Sequence, residues 1–199
     1  MRLAVGSWRR PLSPLIIASR IRVLMAVKHR ASGAVSHPRR SYTAQMLLDG
    51  LNHVAVLTSD TDRLHAFYRD VFEATVGQDL RDGDLRFSIV NIGPHTELNV
   101  FELDGNAESQ RQVPMFGRGR LDHLGLQAAS LVAFEEIRGR LLALGACDEF
   151  VTDFGPLFSV FFRDPDGLEA EVCVPNPDAV PGVLNPPGTP ASRFASAAG

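Results

Sequence analysis

Two short segments decide the fold: Leu51-Asn52-His53-Val54-Ala55-Val56 and Leu121-Asp122-His123-Leu124-Gly125-Leu126. Both run apolar, polar, histidine, apolar, small, apolar. Period-two alternation predicts a strand at each, with the histidine on the same face as the small residue two places on. The recurrence marks an internal repeat.

The stretches C-terminal to the two segments repeat as well. Ser59-Asp60-Thr61-Asp62 is an N-cap cluster, and Leu64, Phe67, Tyr68, Val71 and Phe72 then recur at helical spacing. In the second copy Ser130 precedes Phe134, Ile137, Leu141 and Leu144, and Gly145 supplies a left-handed helix end. Three strands are predicted after each helix: 74–80, 85–92 and 97–103, then 148–153, 157–163 and 168–174. Asp82-Gly83 is the hairpin signal in the first copy, and Asp164-Pro165-Asp166-Gly167 the turn in the second.

The fold class is therefore α+β, with two tandem βαβββ modules. Module one spans 47–103 and module two 121–174. A polar linker with Gly105, Pro114, Gly117 and Gly119 joins them over 104–120. One such unit cannot bury both faces of its sheet. Two side by side are expected to form a curved sheet, helices outside, around a cleft.

Composition sets the outer limits. The chain has 199 residues, 45% hydrophobic and 22% charged, which is globular and excludes a wholly disordered chain. No 18-residue apolar run is free of charge, so no membrane span is expected. Nine of the 20 basic residues fall in 1–45 and none of the 23 acidic ones do. The acidic remainder argues against nucleic-acid binding by the folded part. Residues 1–46 read as a basic leader outside the fold: a misassigned start with translation from Met25 or Met46, an Arg-rich presequence, or a basic arm. Six prolines between Pro175 and Pro190 mark 175–199 as an extended or disordered tail. Cys147 and Cys173 cannot form a disulfide scaffold or a four-cysteine zinc site, and they suit a reducing compartment. The expected location is cytoplasmic, or mitochondrial if the leader is a presequence.

The chemistry-bearing residues lie on the strands. His53 and His123 hold matched repeat positions. In the last strand Glu169, Glu171 and Cys173 share a face, and an unpaired mid-strand carboxylate at Glu171 is costly. Two imidazoles and one carboxylate suit Fe(II), Mn(II), Zn(II) or Ni(II) and leave coordination positions open. The lone-residue alternative for each histidine is a satisfied packing residue. His65 is expected on the surface of the first helix, and His95 in the turn with Gly93-Pro94. Phe150, Phe154, Phe158, Phe161 and Phe162 are expected mainly in the core, with some lining an apolar or aromatic pocket.

The segments LNHVAVLTSDTDRLHAFYRDVF (51–72), LDHLGL (121–126) and FFRDPDGLEAEV (161–172) together resemble the vicinal oxygen chelate superfamily across about 50–174. This superfamily includes glyoxalase I, extradiol dioxygenases, fosfomycin-resistance transferases, methylmalonyl-CoA epimerase and bleomycin-binding proteins. The resemblance implies metal ligands on the first and last strands of the modules, hence His53, His123 and Glu171. The fourth place falls on Asn99, a weak ligand or a group hydrogen-bonded to one. Glu102 reaches it only with a shifted register and is otherwise a solvated strand-end residue.

Set against individual members, Asn99 departs from the filled four-ligand pattern of glyoxalase I and the epimerase. Phe161 replaces the dioxygenase tyrosine, and no histidine follows His123. Ala55 replaces the fosfomycin-transferase threonine, and the only lysine is Lys28. The implied function is a divalent-metal-dependent enzyme acting glyoxalase-like, by lyase or isomerase chemistry, on a small molecule chelated through neighbouring oxygens. The alternatives are an extradiol ring-cleaving dioxygenase and a non-catalytic binding or resistance module. The implied partners are a small-molecule substrate and, through edge strands, a second copy as a homodimer; no nucleic acid and no membrane are expected.

Overall fold

The computed structural model describes residues 50–194. The leader, and the different readings of it, lie outside the described residues, as do 195–199. The unit that carries the two modules begins at Gly50.

Module one runs β1 (His53–Thr58), α1 (Thr61–Phe72), β2 (Thr75–Asp82), β3 (Leu85–Asn91) and β4 (Glu97–Leu103). Module two runs β5 (Leu124–Gln127), α2 (Leu131–Ala143), β6 (Thr152–Asp153), β7 (Leu157–Arg163) and β8 (Glu169–Pro175). The linker between them holds a 3-10 turn at Glu108–Gln110. The α+β class and the repeated βαβββ module are both present. Each module makes its own four-stranded sheet, ordered β1-β4-β3-β2 and β5-β8-β7-β6. The first and last strands of each module pair in parallel; the others pair antiparallel.

Local chemistry fixes the helices as the sequence implies. Asp60 accepts the Arg63 amide at the start of α1, and Ser130 accepts the Ala133 amide at the start of α2. Gly145 takes φ +63 after α2. α1 instead ends on Glu73 at φ 57, a left-handed position without glycine. β6 is shorter than its sequence pattern. Asp148 turns the chain by accepting the Phe150 amide, and the Arg138 guanidinium holds the Glu149 carbonyl, so 148–151 stay off the ladder.

The helices are not outside. One core holds Leu64, Phe67 and Val71 of α1, Phe134 and Leu141 of α2, Leu98 and Val100 of β4, and Val160, Phe162, Val172 and Val174 of module two. The Phe67 and Phe162 rings stack with centroids 6.1 Å apart. Both sheets thus turn one face to a shared helical layer, and within one chain they do not join into a single curved sheet. The other face of each sheet points away from that core.

Two polar contacts lock the modules together. Asp166, in the β7–β8 turn, accepts from Thr58 Oγ1 at 2.6 Å, the Ser59 amide at 3.2 Å and Arg63 Nη2 at 2.7 Å. Its side chain is only 2% exposed. At the far end of α1, Arg140 of α2 donates to the carbonyls of Asp70 and Val71 and pairs with Glu73. A cation is stabilising at a helix C-terminus, where carbonyls lack partners.

His65 is buried, not on the surface: it turns toward β3, and its Nε2 lies 2.7 Å from the Ser88 hydroxyl. Residues 176–194 of the proline-rich tail run through successive turns, mostly exposed, and are tied to module two at points. Thr152 bridges to Pro190, the Ala191 amide donates to the Val151 carbonyl, and Phe194 packs against Phe134 and Phe158. The tail thereby covers the β6 edge. Among the described residues no helix is long and apolar enough to cross a membrane.

Candidate metal centre

β8 alternates cleanly. Ala170, Val172 and Val174 are buried toward the core, while Glu169, Glu171 and Cys173 turn to the outward face. Parallel pairing sets Gly125 beside Glu171, so His123, just before β5, falls on the same outward face. His123 Nε2 and Glu171 Oε1 lie 3.2 Å apart. Glu171 Oε2 accepts from the buried Ser159 hydroxyl at 2.5 Å. A Cβ on Gly125 would stand in van der Waals contact with the carboxylate, 3.4 Å from Glu171 Oε1. Phe161 lies across from Glu171 on β7, its ring edge-on to His123 at 6.2 Å.

The residue before each histidine orients it. Asp122 Oδ2 lies 2.8 Å from His123 Nδ1, and Asn52 Oδ1 lies 2.8 Å from His53 Nδ1. An acceptor at Nδ1 keeps the proton there and leaves the Nε2 lone pair for a metal. Asp122 is itself held by the Phe116 amide, and Arg118 grips the Asp122 carbonyl and the Glu169 carboxylate. The linker is thus tied to the ligand-bearing strand. The hydrogen bond to Asp122 raises the His123 pKa, with Glu171 adding to it. The bond to His123 lowers that of Asp122. Burial pushes the Cys173 thiol up to about 12, so it stays protonated beside Glu171. A cavity of about 230 Å³ between β1 and the lead into β5 reaches Asp122 and His123 and is bounded by Ser109, Asp164 and Asp166.

The other proposed ligands lie elsewhere. His53 is exposed on the outward face of β1, with Ala55 and Leu57; Val54 and Val56 turn to the core. Asn99 sits across from Ala55 on that face, buried, its Oδ1 without a hydrogen-bond partner among the described residues. Glu102 is on the opposite, helix-facing side. It is neither near the histidines nor a solvated strand end. Its Oε2 accepts the Thr61 amide at 2.8 Å at the start of α1, and Arg81 pairs with it. Among the described residues no three His, Cys, Asp or Glu side chains gather as a metal-binding group. The structure brings His123 and Glu171 together and leaves His53 on the other module. As a donor set the pair fits a divalent metal: an imidazole nitrogen and a carboxylate oxygen converge on one face.

Sequence reasoning did not single out Ser159, Asp122, Asn52 or Arg118. The signals were there: a polar residue precedes both histidines, and Ser159 is the one polar residue in Leu157–Phe162.

The family model described as Glyoxalase/Bleomycin resistance protein/Dioxygenase superfamily matches residues 50–172, and the chain belongs to that superfamily. A glyoxylase/bleomycin resistance protein/dioxygenase domain from Frankia sp. EAN1pec superposes with TM-score 0.54 at 21% identity, covering 66% of this chain and 95% of its own. The fosfomycin resistance protein FosX from Listeria monocytogenes gives TM-score 0.51 at 18% identity, over 67% and 98%. A further structure of that Listeria protein is of its complex with Mn(II) and sulfate. Lactoylglutathione lyase from Agrobacterium tumefaciens gives 0.48 at 26% identity, over 65% and 96%. These likenesses are to the fold. No curated protein matches the chain.

Proposed function

We propose that this protein is a divalent-metal-dependent enzyme of the superfamily, with His123 and Glu171 of one chain and His53 of a second copy as ligands. The observation that carries the reading is the convergence of His123 Nε2 and Glu171 Oε1, 3.2 Å apart on one sheet face. Both sheets turn their ligand-bearing faces away from the shared core, so His53 of the same chain lies on the wrong face to join them. A twofold pair of chains can set the outward face of one module one against module two of its partner. When bound, the metal would act as a Lewis acid toward two neighbouring oxygens of a small substrate.

The chain's own residues do the rest. Asp122 and Asn52 hold the imidazoles with Nε2 forward. Phe161 gives the His123 side an aromatic wall. Glyoxalase-like lyase or isomerase chemistry is the favoured reaction. Phe161 stands where the resemblance expects the dioxygenase tyrosine, so an acid–base helper of ring cleavage is missing there.

A second reading has its own observation. His123 has an acceptor at each nitrogen, Asp122 and Glu171, so the site is satisfied as a hydrogen-bonded chain. That suits a binding module without turnover. Elemental analysis of the full chain after loading with iron, manganese, nickel or zinc decides between them. About one equivalent per chain, lost in His53→Ala, His123→Ala and Glu171→Ala, is expected of the enzyme reading. No uptake of any of the four by the wild type overturns it and leaves the binding module.

A further inference from the structure

Glu171 is a flexible side chain on a half-exposed sheet face, yet its carboxylate is tightly constrained. Oε1 faces His123 Nε2, at 3.2 Å. Oε2 is held at 2.5 Å by Ser159 Oγ, the short distance typical of a hydroxyl donating to a carboxylate. Ser159 is fully buried and projects to the outward side of β7, where its neighbours are Leu157 and Phe161. Ser159 pairs across the ladder with Cys173, so its hydroxyl reaches Glu171 diagonally along the strand. A buried serine needs a partner, and here that partner is the carboxylate. Gly125 lies beside Oε1: a Cβ there would stand in van der Waals contact, 3.4 Å from Oε1 and 3.7 Å from Cγ.

We infer that Ser159 is the positioning residue of the metal centre: its hydroxyl occupies Glu171 Oε2, so that Oε1 alone is presented toward His123 Nε2. This rests on the metal-centre reading above. Ser159 touches neither metal nor substrate and acts through Glu171. Residues that orient a metal ligand by hydrogen bonding are worth about 10- to 100-fold in metal affinity.

The test is Mn(II) titration of the full chain, followed by the loss of the free-ion paramagnetic signal, with a thermal melt of each metal-free variant. Ser159→Ala is expected to weaken Mn(II) binding about 10- to 100-fold, with the stoichiometry retained. Ser159→Thr keeps the hydroxyl and is expected to restore most of the affinity. A merely structural serine would shift the melt without this split between Ala and Thr. Gly125→Val provides an independent arm. A β-branched residue suits an exposed strand position, so the fold is kept, while its methyl groups crowd Glu171 Oε1; weakened binding is expected. Ser159→Ala and Gly125→Val binding Mn(II) as tightly as the wild type, while Glu171→Ala does not, overturns the role of Ser159 and leaves the metal centre standing. Unimpaired binding by Glu171→Ala overturns both.

Discussion

His65 shows how much one residue depends on its neighbours across space. It stands on α1 between Leu64 and Ala66, and helical position alone leaves it at the margin of the apolar stripe. The sheet decides its fate: Ser88 on β3 is buried and offers a hydroxyl 2.7 Å from Nε2. Burial lowers the His65 pKa, so the folded state holds it neutral where the unfolded chain more readily takes a proton. The unfolded state therefore binds more protons as pH falls through 6.5 and below, and folding stability drops with acidification in that window. Urea unfolding at pH 7 and pH 5 tests this. The wild type is expected to lose more stability than His65→Gln, which keeps a polar group for Ser88 and does not titrate. Equal losses would refute it.

The β7–β8 turn works at the scale of elements. Asp164-Pro165-Asp166-Gly167 was legible as a turn from composition, and its glycine takes φ +85 as such a turn requires. The division of labour between its two aspartates was not legible. Asp166 reaches across to the β1–α1 junction of the other module. Asp164 folds back on its own turn, accepting the amides of Asp166 and Leu168. Burial raises the Asp164 pKa to about 6, against those amides, which favour its charge. The folded state then binds more protons than the unfolded one between about pH 4 and pH 6, so Asp164 makes stability fall as pH rises through that window. A shift of about two units corresponds to roughly 3 kcal/mol at most. Asp164→Asn keeps the amide-accepting oxygen and cannot ionise. Its stability relative to the wild type is expected to improve from pH 4 to pH 7, measured by denaturant melts at both. A constant difference would show that Asp164 titrates normally.

At the scale of the whole molecule, the repeat could be read and the relation between its copies could not. Alternation on a strand tells which residues share a face: His53 with Ala55, and Glu171 with Cys173. It does not tell which neighbour each face meets, because that depends on how two helices and two sheets pack. Helices set outside the sheets would have left His53 and His123 facing one cleft in one chain. The shared core places them on faces that point away from it. The same limit applies to Glu102, whose register was foreseen but whose role in capping α1 depends on a helix packed across the sheet.

The proposed pairing of two chains then predicts complementation. A His53→Ala chain lacks the ligand given to its partner; a Glu171→Ala chain lacks one kept in its own module. Neither homodimer has an intact centre. In a mixed dimer, one centre takes His53 from the Glu171→Ala chain and His123 and Glu171 from the His53→Ala chain, and is whole; the other carries both changes. With random pairing half the dimers are mixed, so co-expressed variants should regain about a quarter of the wild-type metal content. A centre built within one chain would recover none, because every chain would still lack a ligand.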